Sequence, residues 1–447
     1  MTRTVIRIEE LVNQNDDTQV LLRPEEPQDV KDFGSPRELA CRADLTPFLD
    51  LAAVSPGFKG AIPDALVRKV GERLYQGLSV HDGVIEALDR AVSKTAVGAV
   101  HPIYVASSAM DAEALPFEVL YHPKAQFFGL DPRWPIARIV GFQKGTIARF
   151  VKLPVRLVAV LAAADRDAIP EWEALRSAVL SSKLDVAVTV FAARDDLAAR
   201  VAAQADPWVK LERVPLSPED LMSALAKRRP HLLHIFSHGS SQFQGFLEIA
   251  TRNTVNLGDA PLFITAKELA RLRDLVWLVT LNACEGAAPA ATLHSVAYAV
   301  VNDGIPAAIG MREAIDSADA SCFCGAFYQN ALTGLAATLL PGARVAPDWS
   351  EPLRRSRAAL CARNAGPIPV VASSFKPWTL PVMYRRAEDF VIQVAKDGLA
   401  MTDDEQERLF AEIEGLQQIR DGLAPNTPQA MKTAVENEIA NALKRLV

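Results

Sequence analysis

Two short signatures in this sequence carry a proton acceptor and a thiol: Ser237-His238-Gly239 and Asn282-Ala283-Cys284. A cysteine side chain is mostly protonated at neutral pH, because its reference pKa is about 8.5. A neighbouring imidazole can take that proton and leave the thiolate, the reactive species. The same ring can then protonate a departing amine. Attack on an amide carbonyl creates an oxyanion, which preorganised N–H donors must meet. The backbone N–H of Gly239 suits that task, since glycine has no Cβ to hold a substrate away. The N–H of Cys284 is a second candidate donor. Together His238, Gly239 and Cys284 describe a cysteine hydrolase. No third residue to orient the histidine is legible from sequence.

Each signature closes a short apolar run. His231-Leu232-Leu233-His234-Ile235-Phe236 precedes the histidine, and Val276-Trp277-Leu278-Val279-Thr280-Leu281 precedes the cysteine. Around them the pattern predicts strands and helices in alternation: a strand over 155–162, a helix over 170–181, a strand over 186–191 and a helix over 218–227. Beyond the histidine run come helices over 265–273 and 292–301, a strand over 307–309 and a helix over 319–332. Thr265, with Glu268 three residues on, reads as a capping box. Such alternation predicts an α/β fold, a mostly parallel sheet flanked by helices. Ligand sites of such sheets lie at the carboxyl ends of the strands, where both signatures fall.

The flanking segments are of other kinds. Near the N-terminus, runs 4–8 and 19–22 alternate like strands across a polar turn, and 63–94 has helical spacing. Strands are expected near 102–105 and 137–140. The polar stretch 242–262, beside His238, is the expected mobile loop. In the tail, Leu409, Ile413, Leu416 and Ile419 form one stripe. Met431, Val435, Ile439, Ala442 and Leu446 form another, and together they predict a C-terminal helical hairpin. The domain expectation is 1–150 as an N-terminal half, 151–390 as a catalytic half, and 391–447 as the hairpin.

Other residues of reactive type read as structural. His231, His234 and His238 invite a metal, but strand alternation places His231 on the opposite face, and the sequence shows no acidic or thiol ligand beside them. Neither metal nor cofactor is expected. Cys322 and Cys324 lie two apart in a predicted helix and so point apart. The 447 residues carry a net charge of −6, with 49% hydrophobic and 23% charged residues, which argues against a nucleic-acid-binding surface. No apolar run approaches the ~20 residues that span a bilayer. The five cysteines are scattered and odd in number, unlike a disulfide framework. A cytoplasmic protein with reduced thiols, and without membrane contact, is expected.

Several stretches together resemble the CHAT domain, a caspase-like family related to caspases, separases and other clan CD cysteine peptidases. Leu115-Pro116-Phe117-Glu118-Val119-Leu120-Tyr121 is similar to the family's "LPWELLY" segment, and Phe128-Gly129-Leu130-Asp131 and Pro135-Ile136-Ala137-Arg138 follow it. His234-Ile235-Phe236-Ser237-His238-Gly239 resembles the "HFxxHG" strand, and Leu281-Asn282-Ala283-Cys284-Glu285 the "LNACxS" segment. Gly304 to Met311 resembles the "GxxAVxGM" strand. The resemblance runs from about residue 60 to about 386. It implies a caspase-like sandwich with a non-catalytic first half, His238 as general base and acid, Cys284 as nucleophile and Gly239 as oxyanion donor.

After Met311 the family shows a hydrophobic–Pro–x–Ser–Asp pattern, whereas this chain reads Arg312-Glu313-Ala314-Ile315-Asp316-Ser317. Substrate preference is therefore not carried over. Asp316 is the first candidate for a substrate-binding residue favouring a basic P1 side chain, with helix capping as its competing role. Glu285 is the second candidate. The resemblance implies an endopeptidase that cuts one protein target, in a bacterial defence or cell-death pathway, under an activating or inhibitory partner protein. The alternative is a catalytically silent caspase-like scaffold for protein interaction.

Overall fold

Strands rich in apolar residues at successive positions must be covered on both faces. The computed structural model describes residues 3–12, 18–30, 36–39, 64–107, 115–141, 145–240, 246–283, 291–312, 315–365 and 376–395. In the tail it describes 408–409, 412–413, 415–416, 419–420, 422–424 and 427–446. The first half contributes strands β1 (Thr4–Val12) and β2 (Thr18–Glu26), helices α1 (Asp64–Leu78) and α2 (Asp82–Lys94), then β3 (Ile103–Ser107) and β4 (Ile136–Val140). β1 and β2 are strands, as their alternation predicts, and they pair antiparallel.

From residue 155 the alternation is regular. It runs β5 (Val155–Leu161), α3 (Ile169–Ser182), β6 (Val186–Ala192), α4 (Asp195–Gln204), β7 (Val209–Arg213), α5 (Pro218–Arg228) and β8 (Leu232–Ser240). A hairpin of β9 (Phe246–Ile249) and β10 (Leu262–Thr265) follows, then β11 (Leu278–Ala283), α6 (Ala291–Asn302) and β12 (Ala307–Met311). Helices α7 (Ser317–Thr338) and α8 (Ser350–Ala365) lead to β13 (Pro381–Arg386).

One sheet runs in the order β7-β6-β5-β8-β11-β12-β13-β4-β3-β1-β2. It is mainly parallel and flanked by helices, as expected. β13 is the exception at its centre: antiparallel to β12 and parallel to β4, it joins the two halves into one sheet. The faces separate by parity. Val155, Leu157, Ala159 and Leu161 of β5 enter one core with residues of α3, α4, α7 and α8. Val158, Val160 and Ala162 enter the other, with residues of α5 and α6. A helix on each face is the right-handed solution for consecutive parallel strands.

The polar stretch 242–262 departs from expectation. Residues 241–245 lie outside the described residues, but from 246 onward the chain is a built hairpin, β9 pairing antiparallel with both β8 and β10. Leu247, Ile249, Leu262 and Ile264 alternate inward and are buried. Between them sits a short helix, Arg252–Leu257, started by a Thr251–Thr254 capping box. The Thr265–Glu268 box is present as predicted, but the helix it starts is only Ala266–Leu269 before the chain tightens to a 3-10 turn.

The tail is helical at 408–409, 412–413, 415–416 and 419–420, and α9 (Gln429–Leu446) begins just after Pro428. Leu409, Ile413 and Ala442 are buried together, with Leu416 and Phe150 packed against them. Ile419 and Met431, placed by periodicity on the buried stripes, are instead exposed.

Candidate active site

The order of the strands reverses at β5. β6 and β7 build outward on one side of it, and β8, β11 and β12 on the other. Side chains at the carboxyl ends of strands flanking such a point face an open crevice. Asp165 follows β5 there, and His238 stands near the carboxyl end of β8. His238 Nε2 lies 2.5 Å from Asp165 Oδ1. The histidine side chain is 13% exposed and the aspartate 63%. A carboxylate only accepts, so this contact places the proton on Nε2 and leaves Nδ1 as the basic nitrogen of the neutral ring. Nδ1 is buried and takes no partner among the described residues. The ring is thus held in the tautomer that a general base requires.

The thiol side is set by register. β8 and β11 are parallel neighbours in which Phe236 pairs with Asn282 and Ser237 with Ala283. Cys284 follows Ala283 in sequence and lies, with Glu285, outside the described residues. Gly239 lies within β8, paired with Leu247 of β9. Asp316 is exposed and is the N-cap of α7, where its Oδ1 accepts from the Ala318 N–H at 2.9 Å. The structure therefore places it in the competing capping role, and brings no substrate-binding partner to it among the described residues.

The three histidines of β8 separate as alternation requires. His231 lies at the amino end, stacked on Trp277 with centroids 4.3 Å apart and its ring nitrogens facing Arg156. Burial and the Arg156 and Arg229 charges hold its pKa well below the usual value, so it is neutral. His234 is fully buried on the face of α3 and α7. Contrary to the sequence expectation, an acid and a thiol do stand beside it: ligand atoms of Glu171, His234 and Cys324 all lie within 4.8 Å of one another. Asn282 Nδ2 also donates to Glu171 Oε1 at 2.6 Å. Burial and the Glu171 carboxylate push the Cys324 thiol well above its usual pKa. Cys361 is likewise buried, and burial pushes it up to about 12. Cys322 is half-buried in α7, while Cys41 lies outside the described residues.

Sequence reasoning missed Asp165 and Glu171. Both sit in or just after the β5–α3 connection, whose carboxylates meet β8 only in the fold. The one available signal was their place after a strand neighbouring the histidine strand, in Ala162-Ala163-Ala164-Asp165-Arg166.

The model of the CHAT domain family matches residues 68–346, more than half of the chain. This chain belongs to the CHAT domain family. Its fold is the α/β class expected, a mainly parallel sheet flanked by helices. No curated protein matches this CHAT chain in sequence. Among solved structures, it is similar to the crystal structure of the Saccharomyces cerevisiae separase–securin complex at 2.6 Å resolution. That match has 12% identity and a TM-score of 0.34, and covers 72% of this chain and 18% of that one. A 3.0 Å structure of the same complex matches at 12% identity and a TM-score of 0.35, over 77% of this chain and 20% of that one. This CHAT chain thus corresponds to about a fifth of the length of those chains. No described helix is long and apolar enough to cross a membrane.

Proposed function

We propose that this CHAT domain is a cysteine endopeptidase in which Cys284 is the nucleophile and His238 the general base and acid. The observation that carries the reading is the state of His238. One nitrogen is held by Asp165, the other is buried and open, and the ring stands beside the strand that leads into Cys284. In this scheme Nδ1 takes the Cys284 proton and the thiolate attacks the scissile carbonyl carbon. Backbone N–H groups of Gly239 and Cys284 meet the oxyanion. The imidazolium, stabilised by Asp165, returns its proton to the leaving amine, and water hydrolyses the thioester. Residues 1–150 serve as a non-catalytic platform for this centre. Glu285 and the free face of Asp316 are the proposed contacts for a basic P1 side chain. The substrate is a single protein target in a bacterial defence or cell-death pathway, and a partner protein controls access.

The test is to incubate the wild type and Cys284→Ala separately with a diverse peptide library and read products by mass spectrometry. Cuts made by the wild type alone, with Lys or Arg at P1, are expected. Equal cutting by both proteins would refute the nucleophile, and an acidic or apolar P1 would refute the role of Asp316 and Glu285.

A further inference from the structure

One carboxylate touches both strands that carry the proposed dyad. Glu171 lies in the first turn of α3 and is fully buried, with no Lys or Arg bridged to it among the described residues. Its Oε1 accepts from Asn282 Nδ2 at 2.6 Å and stands 3.0 Å from His234 Nε2. Asn282 lies on β11, two residues before Cys284. His234 lies on β8, four residues before His238. Parity puts Asn282 of β11 and His234 and His238 of β8 on one face of the sheet, the face that α3 covers.

Asn282 Nδ2 also donates to Ala320 O at 2.9 Å, which extends the tie to α7. On the same face Tyr328 of α7 donates to Thr280 Oγ1 at 3.2 Å, and its ring meets His234 edge-on at 5.4 Å. A carboxylate without a cationic partner is expensive to bury. What offsets the cost here is the helix N-terminus behind it and the Asn282 amide that donates to it in front. An apolar residue would fill the space at no such cost, but would take the Glu171 acceptor from Asn282 and the carboxylate from beside His234.

We infer that Glu171 is a positioning residue: it locks β8 to β11 beneath the active site and so sets His238 against Cys284. The inference rests on the proposed cysteine peptidase reading. The same β5–α3 connection then does two things, orienting the His238 ring through Asp165 and fixing its strand through Glu171. Glu171 touches neither substrate nor reacting atoms, so its effect must appear as altered thiol reactivity and altered kcat.

The experiment compares wild type, Glu171→Leu and Glu171→Gln, full length, each shown folded by circular dichroism and thermal melting. The rate of Cys284 alkylation by iodoacetamide at pH 7 is read by mass spectrometry, and kcat and KM on the best library peptide are measured beside it. Because a misplacement of about 1 Å can cost about 10²-fold, Glu171→Leu should slow alkylation and kcat by about tenfold or more while KM stays within about threefold. Glu171→Gln, whose amide oxygen still accepts from Asn282, should recover most of both. If Glu171→Leu does not fold, Asn282→Ser, which cuts the tie from the other side, must show the same loss.

A folded Leu or Ser variant with wild-type Cys284 reactivity would overturn the inference and leave the dyad standing. A wild-type Cys284 no more reactive than a model thiol would sink both. One equivalent of zinc in the purified wild type, lost in Glu171→Leu, would also overturn it, since Glu171, His234 and Cys324 would then be ligands.

Discussion

His238, the proposed general base, shows how little a side chain can do alone. Its ring acquires a defined tautomer only because Asp165, 73 positions earlier in sequence, reaches Nε2. Asp165 is largely exposed, so its contribution is one of orientation rather than of a desolvated charge. Asp165→Asn should therefore lower kcat by about 10²-fold, the low end for general acid–base catalysis, with little change in KM or in melting temperature. Steady-state kinetics on the library-derived peptide check this. An unchanged kcat would remove Asp165 from the centre. Thiol chemistry makes a second test at this scale. Burial holds Cys324 and Cys361 as thiols, whereas the proposed dyad makes Cys284 a thiolate. Brief iodoacetamide treatment of native protein at pH 7, followed by peptide mapping, should label Cys284 and spare the other two. Labelling of Cys324 at a comparable rate would mean that its surroundings open in solution.

Between elements, backbone contact limits which residues are tolerated. Gly71 of α1 faces the 3-10 turn Phe117–Val119, and a Cβ there would stand 2.1 Å from Val119 O. The helix can lie this close only because position 71 has no side chain. Gly71→Ala should cost about 1–3 kcal/mol through overpacking, read as a lower urea midpoint. Gly334, exposed inside α7, meets nothing within 4 Å of a built Cβ. Gly334→Ala should instead stabilise by about 0.5–1 kcal/mol, because only helix propensity changes. If both variants melt like wild type, the close approach of α1 to the turn is wrong. The β9–β10 hairpin belongs to this scale too. A stretch rich in polar residues became an ordered extension of β8 because four alternating apolar side chains had a core to enter.

Across the whole molecule, the two halves are joined by backbone pairing of β13 with β4 and by a buried charge cluster. Glu118, in the 3-10 turn of the first half, receives Arg138 at 2.8 Å and lies 3.5 Å from Arg312, which follows β12. Burial alone would raise its pKa, but Arg138, Arg312 and Arg357 outweigh that and hold it at about 2. The unfolded side chain titrates near 4.5. The folded carboxylate thus binds its proton later, and its stabilising contribution is complete above pH 4.5 and lost as pH falls toward 2. Glu118→Gln should cost about 3–5 kcal/mol at pH 7, because buried guanidinium groups lose their counter-charge. The gap between the two proteins should narrow through the same acid window in denaturant titrations. A gap that stays constant with pH would show that the cluster does not couple the halves by charge.

Much of this was present in local pattern. Near-continuous apolar runs leading to His238 and Cys284, helical spacing between them, and the Thr265–Glu268 box all express preferences that a few neighbouring residues decide, so those elements are legible in the sequence. The family match followed from motifs of the same short range. What tertiary structure decided was which strand lies beside which, and hence which distant carboxylate meets which ring. Asp165 and Glu171 are ordinary acidic residues until β5 takes its place next to β8. Ile419 and Met431 fit their helical stripes yet stay exposed, because periodicity names a face without supplying the surface that covers it. Pairing across tens of residues is a property of the closed sheet, and no window of sequence contains it.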